Sequence, residues 1–90
     1  MADAVVKIKI MPESPDANLD EIEKQAREIL EKADAKSVTA EQQPVAFGLV
    51  ALIITFLIPE TFEQDPLEKS LGEIENVSSV QIIDFRRAFG

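Results

Sequence analysis

A run of ten residues, Leu49–Ile58, is apolar except for Thr55 and constrains the fold more than any other part of the chain. A membrane-spanning helix needs about 20 apolar residues, so the run is too short to cross a bilayer. Its β-branched residues favour a strand that is apolar on both faces, which belongs in the middle of a sheet. Pro59 should end this strand, because proline cannot donate to a sheet ladder.

The residues just before this strand predict a hairpin loop. Pro44 should end the preceding strand, and Gly48 permits the tight backbone geometry that a hairpin needs. Phe47 therefore lies in a loop beside a rigid buried strand. From the residues alone, its ring either folds back into the core or is presented to a partner.

The first part of the chain predicts a strand and a helix. Residues 4–11 alternate, with Val6 and Ile8 on one face and Lys7 on the other, as in a half-buried strand. Asn18 is a good helix N-cap, with Glu21 three residues later. The apolar residues that recur at helical spacing after it are Leu19, Ile22, Ala26, Ile29, Leu30 and Ala33.

The remaining segments predict an edge strand, a second helix and a final strand. Residues 36–42 are polar, which suits a sheet edge. Asp65 is expected as the N-cap of the second helix with Pro66 at its first position, and a start up to a few residues earlier stays open. Its buried face should contain Leu67, Ser70, Leu71 and Ile74. Residues 77–85 are expected to form the fourth and last strand.

The order β-α-β-β-α-β predicts an α+β, ferredoxin-like sandwich that occupies residues 1–90 as one domain. Right-handed crossovers give a four-stranded antiparallel sheet of order 4-1-3-2, with both helices on one face. The other face stays open. We expect an apolar patch of the third strand there, which serves as an interaction site or lies under a loop or terminus.

Composition excludes several classes of function. The 90 residues contain neither cysteine nor histidine, which removes disulfides, thiolate metal sites and imidazole chemistry. The net charge of −8 disfavours direct contact with nucleic acid or an anionic membrane, and it favours a partner with a basic patch. The N-terminal residues lack the layout of a signal peptide, so we expect a cytoplasmic protein. We also expect it to be a monomer in isolation.

The C-terminal segment adds a second candidate region. Arg86 and Arg87 are the only basic residues after Lys69, and guanidinium groups suit carboxylate or phosphate contacts. Surface ion pairs with nearby carboxylates are the alternative. No glycine-rich phosphate loop is present, since the three glycines are far apart, and we expect no cofactor and no metal.

With these features placed, the whole chain resembles the archaeal elongation factor 1-beta family. The segments that carry the resemblance are Ile10-Met11-Pro12-Glu13-Ser14-Pro15-Asp16, Pro44-Val45-Ala46-Phe47-Gly48-Leu49-Val50-Ala51-Leu52 and Ile74-Glu75-Asn76-Val77-Ser78-Ser79-Val80, which leads into Asp84-Phe85-Arg86-Arg87. That family consists of guanine nucleotide exchange factors for elongation factor 1-alpha. The resemblance implies an exchange factor that acts by protein–protein binding and not as an enzyme.

The resemblance also implies which residues meet the partner. In the family, the aromatic residue of the hairpin loop and the C-terminal end both approach the partner. The loop position corresponds here to Phe47, with Pro44 and Gly48 beside it. At the C-terminal end the candidate contact residues are Arg86, Arg87 and Phe89, and neither arginine stands at the offset of the family's lysine. The chain departs from the eukaryotic relatives, which end with a penultimate lysine, because Phe89-Gly90 stands at that place.

Two other functions stay open on the sequence. A small ferredoxin-like hydrolase of the acylphosphatase kind would need an arginine in the first strand–helix loop. Asn18 is present, but no arginine precedes Arg27. A ligand-binding regulatory domain is the third hypothesis, and such domains are normally attached to an enzyme.

Overall fold

A computed structural model describes residues 3–87, which form four strands and two helices in the predicted order. The elements are β1 (Asp3–Pro12), α1 (Leu19–Lys32), β2 (Lys36–Pro44), a short 3-10 turn (Ala46–Gly48), β3 (Val50–Pro59), α2 (Gln64–Gly72) and β4 (Val77–Arg87). The sheet order is β2-β3-β1-β4 with every neighbouring pair antiparallel, which is the predicted order read in reverse. The ferredoxin-like fold is therefore confirmed.

The core lies between the two helices and one face of the central strands. Pairing of β1 with β3 places Ile8 opposite Ile54 and Val6 opposite Phe56, and all four side chains are at most 1% exposed. The helices contribute apolar residues as predicted, and the buried ones are Ile22, Ala26, Leu30, Leu67 and Leu71. Ile74 is buried too, but it lies two residues after the end of α2 and not on the helix. Ser70 is the exception, because it lies at the exposed margin of a cleft between the helices.

Helix α1 begins as its sequence predicts. The Oδ1 atom of Asn18 accepts a hydrogen bond from the backbone N–H of Glu21, at 3.1 Å between nitrogen and oxygen. This bond satisfies one of the four N–H groups that have no partner inside the helix. Asp20 and Glu21 in the first turn also complement the positive end of the helix dipole.

Helix α2 begins two residues before the expected position, within the earlier start that the sequence left open. The helix begins at Gln64, its N-cap is Glu63, and no side chain caps it, so Asp65 is the second helical residue and Pro66 the third. Proline is tolerated there because backbone nitrogens of the first turn need no intrahelical acceptor. The preceding chain is turned by a hydrogen bond from Phe62 N–H to the carbonyl of Pro59, at 2.9 Å.

The apolar patch expected on the open face of the sheet is mostly covered, although Leu57 is only half-buried. On β3, Ala51 and Ile53 face away from the helices but are 0% and 6% exposed. Ile53 lies between Lys9 on β1 and Glu41 on β2, and the aliphatic parts of long side chains can cover apolar surface in this way. Within residues 3–87, the exposed large apolar side chains are Phe47, Ile83 and Phe85. No helix of this range is long and apolar enough to cross a membrane.

The two helix starts make a matched test of side-chain capping. Asn18→Ala should lower the free energy of unfolding by about 1 kcal/mol, because it removes the acceptor for the N–H of Glu21. Glu63→Ala, at the N-cap that makes no such bond, should change it by less than about 0.5 kcal/mol. Urea denaturation followed by circular dichroism measures both values, and equal losses would contradict this account of the two helix starts.

Candidate functional site

The hairpin between β2 and β3 presents Phe47 at one end of the molecule. Pro44 is the last residue of β2 and pairs with Val50, the first residue of β3. The loop is closed by two backbone hydrogen bonds, from Val45 N–H to the carbonyl of Leu49 at 2.9 Å and from Leu49 N–H to the carbonyl of Ala46 at 3.2 Å. The loop is thus a compact turn fastened directly to a central strand.

The Phe47 ring is 94% exposed, which decides between the two possibilities that the sequence left open. The structure presents the ring to solvent instead of using it in the core. Phe56, nine residues further along, is 1% exposed and supplies the aromatic packing of the core. The ring is therefore available for contact with another molecule, where aromatic residues are among the strongest contributors to binding.

The backbone at this tip is in an unusual conformation. Phe47 has φ 61° and ψ 31°, and Gly48 has φ 75°, so two successive residues are left-handed. Glycine adopts this region without a steric penalty, whereas a residue with a bulky side chain pays about 1–2 kcal/mol. Strained residues of this kind concentrate at functional sites, where the fold holds them in place.

Arg86 and Arg87 lie at the last residues of β4 and point to opposite faces of the sheet. Arg86 pairs with Asp84 on the open face, at 3.1 Å between Nη2 and Oδ2. Arg87 pairs with Glu60 on the helix side, at 2.8 Å between Nε and Oε2. Both guanidinium groups are well exposed, so these ion pairs are weak and can be exchanged for contacts with a partner.

The predicted contact residues therefore form two regions and not one. Phe47 lies just before the start of β3. Arg87 lies near the other end of that strand, because it pairs with Ala4, which in turn pairs with Ile58. A strand of ten residues separates the two regions by about 30 Å. Phe89 lies outside the described residues, so its place relative to the arginines stays a prediction.

Sequence reasoning missed a cleft at the same end as the arginines. Phe62 stacks on Phe85, with 5.9 Å between ring centroids. Phe62 also lines a shallow cleft of about 440 Å³ between the end of α1 and the start of α2, together with Ile29, Pro66 and Leu67. The position of Phe62 between Pro59 and the second helix was the only sign of this cleft in the sequence. Within residues 3–87, no group of three or more carboxylates lies close enough together to hold a metal ion.

Comparison with known proteins gives the family. A family model described as the EF-1 guanine nucleotide exchange domain matches residues 5–88. The chain belongs to this family. The match covers both ends of the sheet, with the Phe47 loop and the end of β4.

Curated relatives agree with this assignment. Elongation factor 1-beta of Methanocaldococcus jannaschii is 40% identical over 86 residues, which are 93% of this chain and 96% of the relative. Elongation factor 1-beta of Methanobrevibacter smithii is 39% identical over 88 residues, and that of Methanothermobacter thermautotrophicus is 38% identical over 89 residues. These two matches each cover 97% of this chain and 98% of the relative. The exchange domain identified from sequence resemblance is confirmed.

A comparison of Phe47 with the buried Phe56 tests what Phe47 does. Phe47→Ala should change the free energy of unfolding by less than about 0.5 kcal/mol, because the ring is not packed against the protein. Phe56→Ala should cost about 3–5 kcal/mol through the cavity that it leaves in the core. Thermal and urea unfolding measure both, and a comparable loss for the two variants would show that Phe47 is a core residue.

Proposed function

We propose that this protein promotes GDP/GTP exchange on elongation factor 1-alpha by binding the nucleotide-free state of that GTPase. The match of residues 5–88 to an EF-1 guanine nucleotide exchange domain carries the proposal. The exposed Phe47 ring supports it, because an exchange factor acts through a contact surface. In this proposal the protein makes and breaks no covalent bond.

The mechanism is differential binding between two states of the partner. An exchange factor that binds the nucleotide-free GTPase more tightly than the GDP complex must, by thermodynamic linkage, weaken GDP binding by the same factor. GDP then leaves faster, GTP enters, and the exchange factor is displaced. GDP release is accelerated only by interactions that are stronger in the nucleotide-free complex than in the GDP complex. The contact residues must therefore meet parts of the GTPase that move when GDP leaves.

Phe47 is the proposed anchor of this complex. A buried aromatic residue at the centre of an interface often contributes ~2 kcal/mol or more to binding. The two loop hydrogen bonds fix the left-handed backbone from which the ring projects before the partner arrives. Because the loop is already ordered, less conformational entropy is lost on binding. Pro44 and Gly48 serve the anchor by ending β2 and by allowing the turn.

The end of β4 is the proposed second contact. Arg86 and Arg87 would exchange Asp84 and Glu60 for carboxylate or phosphate groups of the partner, and Phe89 is proposed as a further contact residue. Since about 30 Å of strand separates this end from Phe47, the two contacts would reach distant parts of the GTPase. We place this activity in the cytoplasm, with residues 1–90 acting as one domain and one copy per partner.

The exchange assay tests the role of Phe47. The wild-type chain should accelerate release of a fluorescent GDP analogue from elongation factor 1-alpha. Phe47→Ala should weaken this effect about 30-fold, which corresponds to the loss of ~2 kcal/mol of binding to the nucleotide-free state. Phe47→Leu keeps an apolar side chain, so its exchange activity should lie between those of the wild-type chain and Phe47→Ala. No acceleration by the wild-type chain at micromolar concentration would refute the proposed function.

Two double variants, one of the arginines and one of their ion-pair partners, test the role of Arg86 and Arg87. Replacing Arg86 and Arg87 together by alanine should lower exchange activity about 3- to 10-fold through the loss of two charged contacts. Asp84→Asn with Glu60→Gln breaks the same ion pairs but keeps both guanidinium groups, so it should retain or raise activity. Equal losses in the two double variants would mean that the ion pairs, and not the arginines, matter.

A further inference from the structure

The face of the sheet that is turned away from the helices, here called the open face, differs in charge from the rest of the molecule. Strand pairing places four basic residues on it, and these are Lys7, Lys9, Lys36 and Arg86. The acidic residues that the same pairing places there are Asp3, Glu41 and Asp84. The open face is thus slightly positive on a chain whose net charge is −8.

The opposite side carries the negative charge. The other fourteen of the 17 acidic residues lie on the helices, the connecting loops and the turns. Only five basic residues accompany them, and these are Lys24, Arg27, Lys32, Lys69 and Arg87. The helices and loops are therefore strongly acidic whereas the open face is slightly positive, a difference that the net charge does not reveal.

Lys7 and Lys9 lie in the middle of the open face. They belong to β1, the strand between β3 and β4, and their side chains are half-buried. No carboxylate of residues 3–87 lies within 4.0 Å of either ammonium group. Asp84 is opposite Lys7 on β4, but its carboxylate pairs with Arg86. Two ammonium groups held by a rigid central strand thus lack a partner among the described residues.

We propose that the open face lies along elongation factor 1-alpha, between the Phe47 loop and the end of β4, and that Lys7 and Lys9 meet carboxylates of that partner. This inference rests on the proposed exchange function. It follows from two observations, the continuity of the open face with both proposed contacts and its positive charge. Arg86 is on the same face as the two lysines, so one face of the sheet runs from the loop end to Arg86.

The proposal requires carboxylates on the part of the GTPase that faces Lys7 and Lys9. Charged groups at an interface guide association and fix orientation more than they add affinity. Lys7 and Lys9 would align the sheet along the partner while Phe47 anchors one end. A partner docked instead on the helix side would meet mainly carboxylates and would leave the two lysines in solvent.

Neutralisation of the two lysines tests this orientation. Lys7→Gln with Lys9→Gln should raise the concentration needed for half-maximal GDP release about 5-fold and weaken its dependence on salt. Lys7→Arg with Lys9→Arg keeps the charges and should retain near wild-type values. The matched control, Lys24→Gln with Lys69→Gln, removes the same charge from the helix side and should not weaken exchange.

The outcomes separate this inference from the proposed function. If the wild-type chain accelerates GDP release and the Lys7/Lys9 variant matches it, the open face is not the docking surface although the exchange function stands. The same conclusion follows if the Lys24/Lys69 control is the variant that loses activity. If the wild-type chain has no effect on release, the proposed function itself fails.

Chemical labelling gives a second readout that does not depend on exchange rates. The chain has no cysteine, so a single introduced cysteine is a unique label. Gln81→Cys lies on the open face opposite Lys9, and Glu28→Cys lies on the exposed side of α1. Nucleotide-free elongation factor 1-alpha should slow alkylation at position 81 about 10-fold or more and leave position 28 unaffected. The reverse pattern would place the partner on the helix side.

Discussion

The antiparallel pairing of β1 with β3 is the constraint on which the other features depend. It brings Val6 and Ile8 against Phe56 and Ile54, and these four side chains are the centre of the buried core. The side-chain period of a strand is two, so a slip of one residue would exchange Ile8 for Lys7 and place an ammonium group in the core. The burial of this apolar face therefore determines the register. The same register determines which lysines face outward.

The pairing also makes the sheet a rigid spacer between two chemically different ends. At one end, the compact hairpin holds Phe47 in a left-handed conformation with its ring in solvent. At the other end, Arg86 and Arg87 leave β4 on opposite faces, each with a carboxylate partner. Strain at the loop tip is tolerated because the burial of β3 stabilises the hairpin far more than one unfavourable residue destabilises it. An exchange factor that contacts distant parts of one GTPase benefits from such a fixed separation.

Local sequence signals predicted the parts of the structure that depend on neighbours in the chain. Alternation in residues 4–11 gave the correct exposed and buried faces of β1, and Asn18 caps α1 through the bond expected for it. The start of α2 was predicted less well, because Asp65 and Pro66 are compatible with several positions of the first turn. Ser70 was placed on the buried side because helical spacing does not show that the two helices leave a cleft there.

The amino-acid sequence by itself determined the order of elements, the fold class and, through its resemblance to a family, the exchange function, because periodicity, caps and motifs are local properties of the chain. Tertiary structure decided what the side chains of the surface do. It placed Phe47 in solvent, buried Ile53 beside Lys9, and set the proposed contact residues at two ends of the sheet. It also left the helices and loops strongly acidic and the open face of the sheet slightly positive. Exposure and charge distribution depend on residues far apart in the chain, and only strand pairing brings these together.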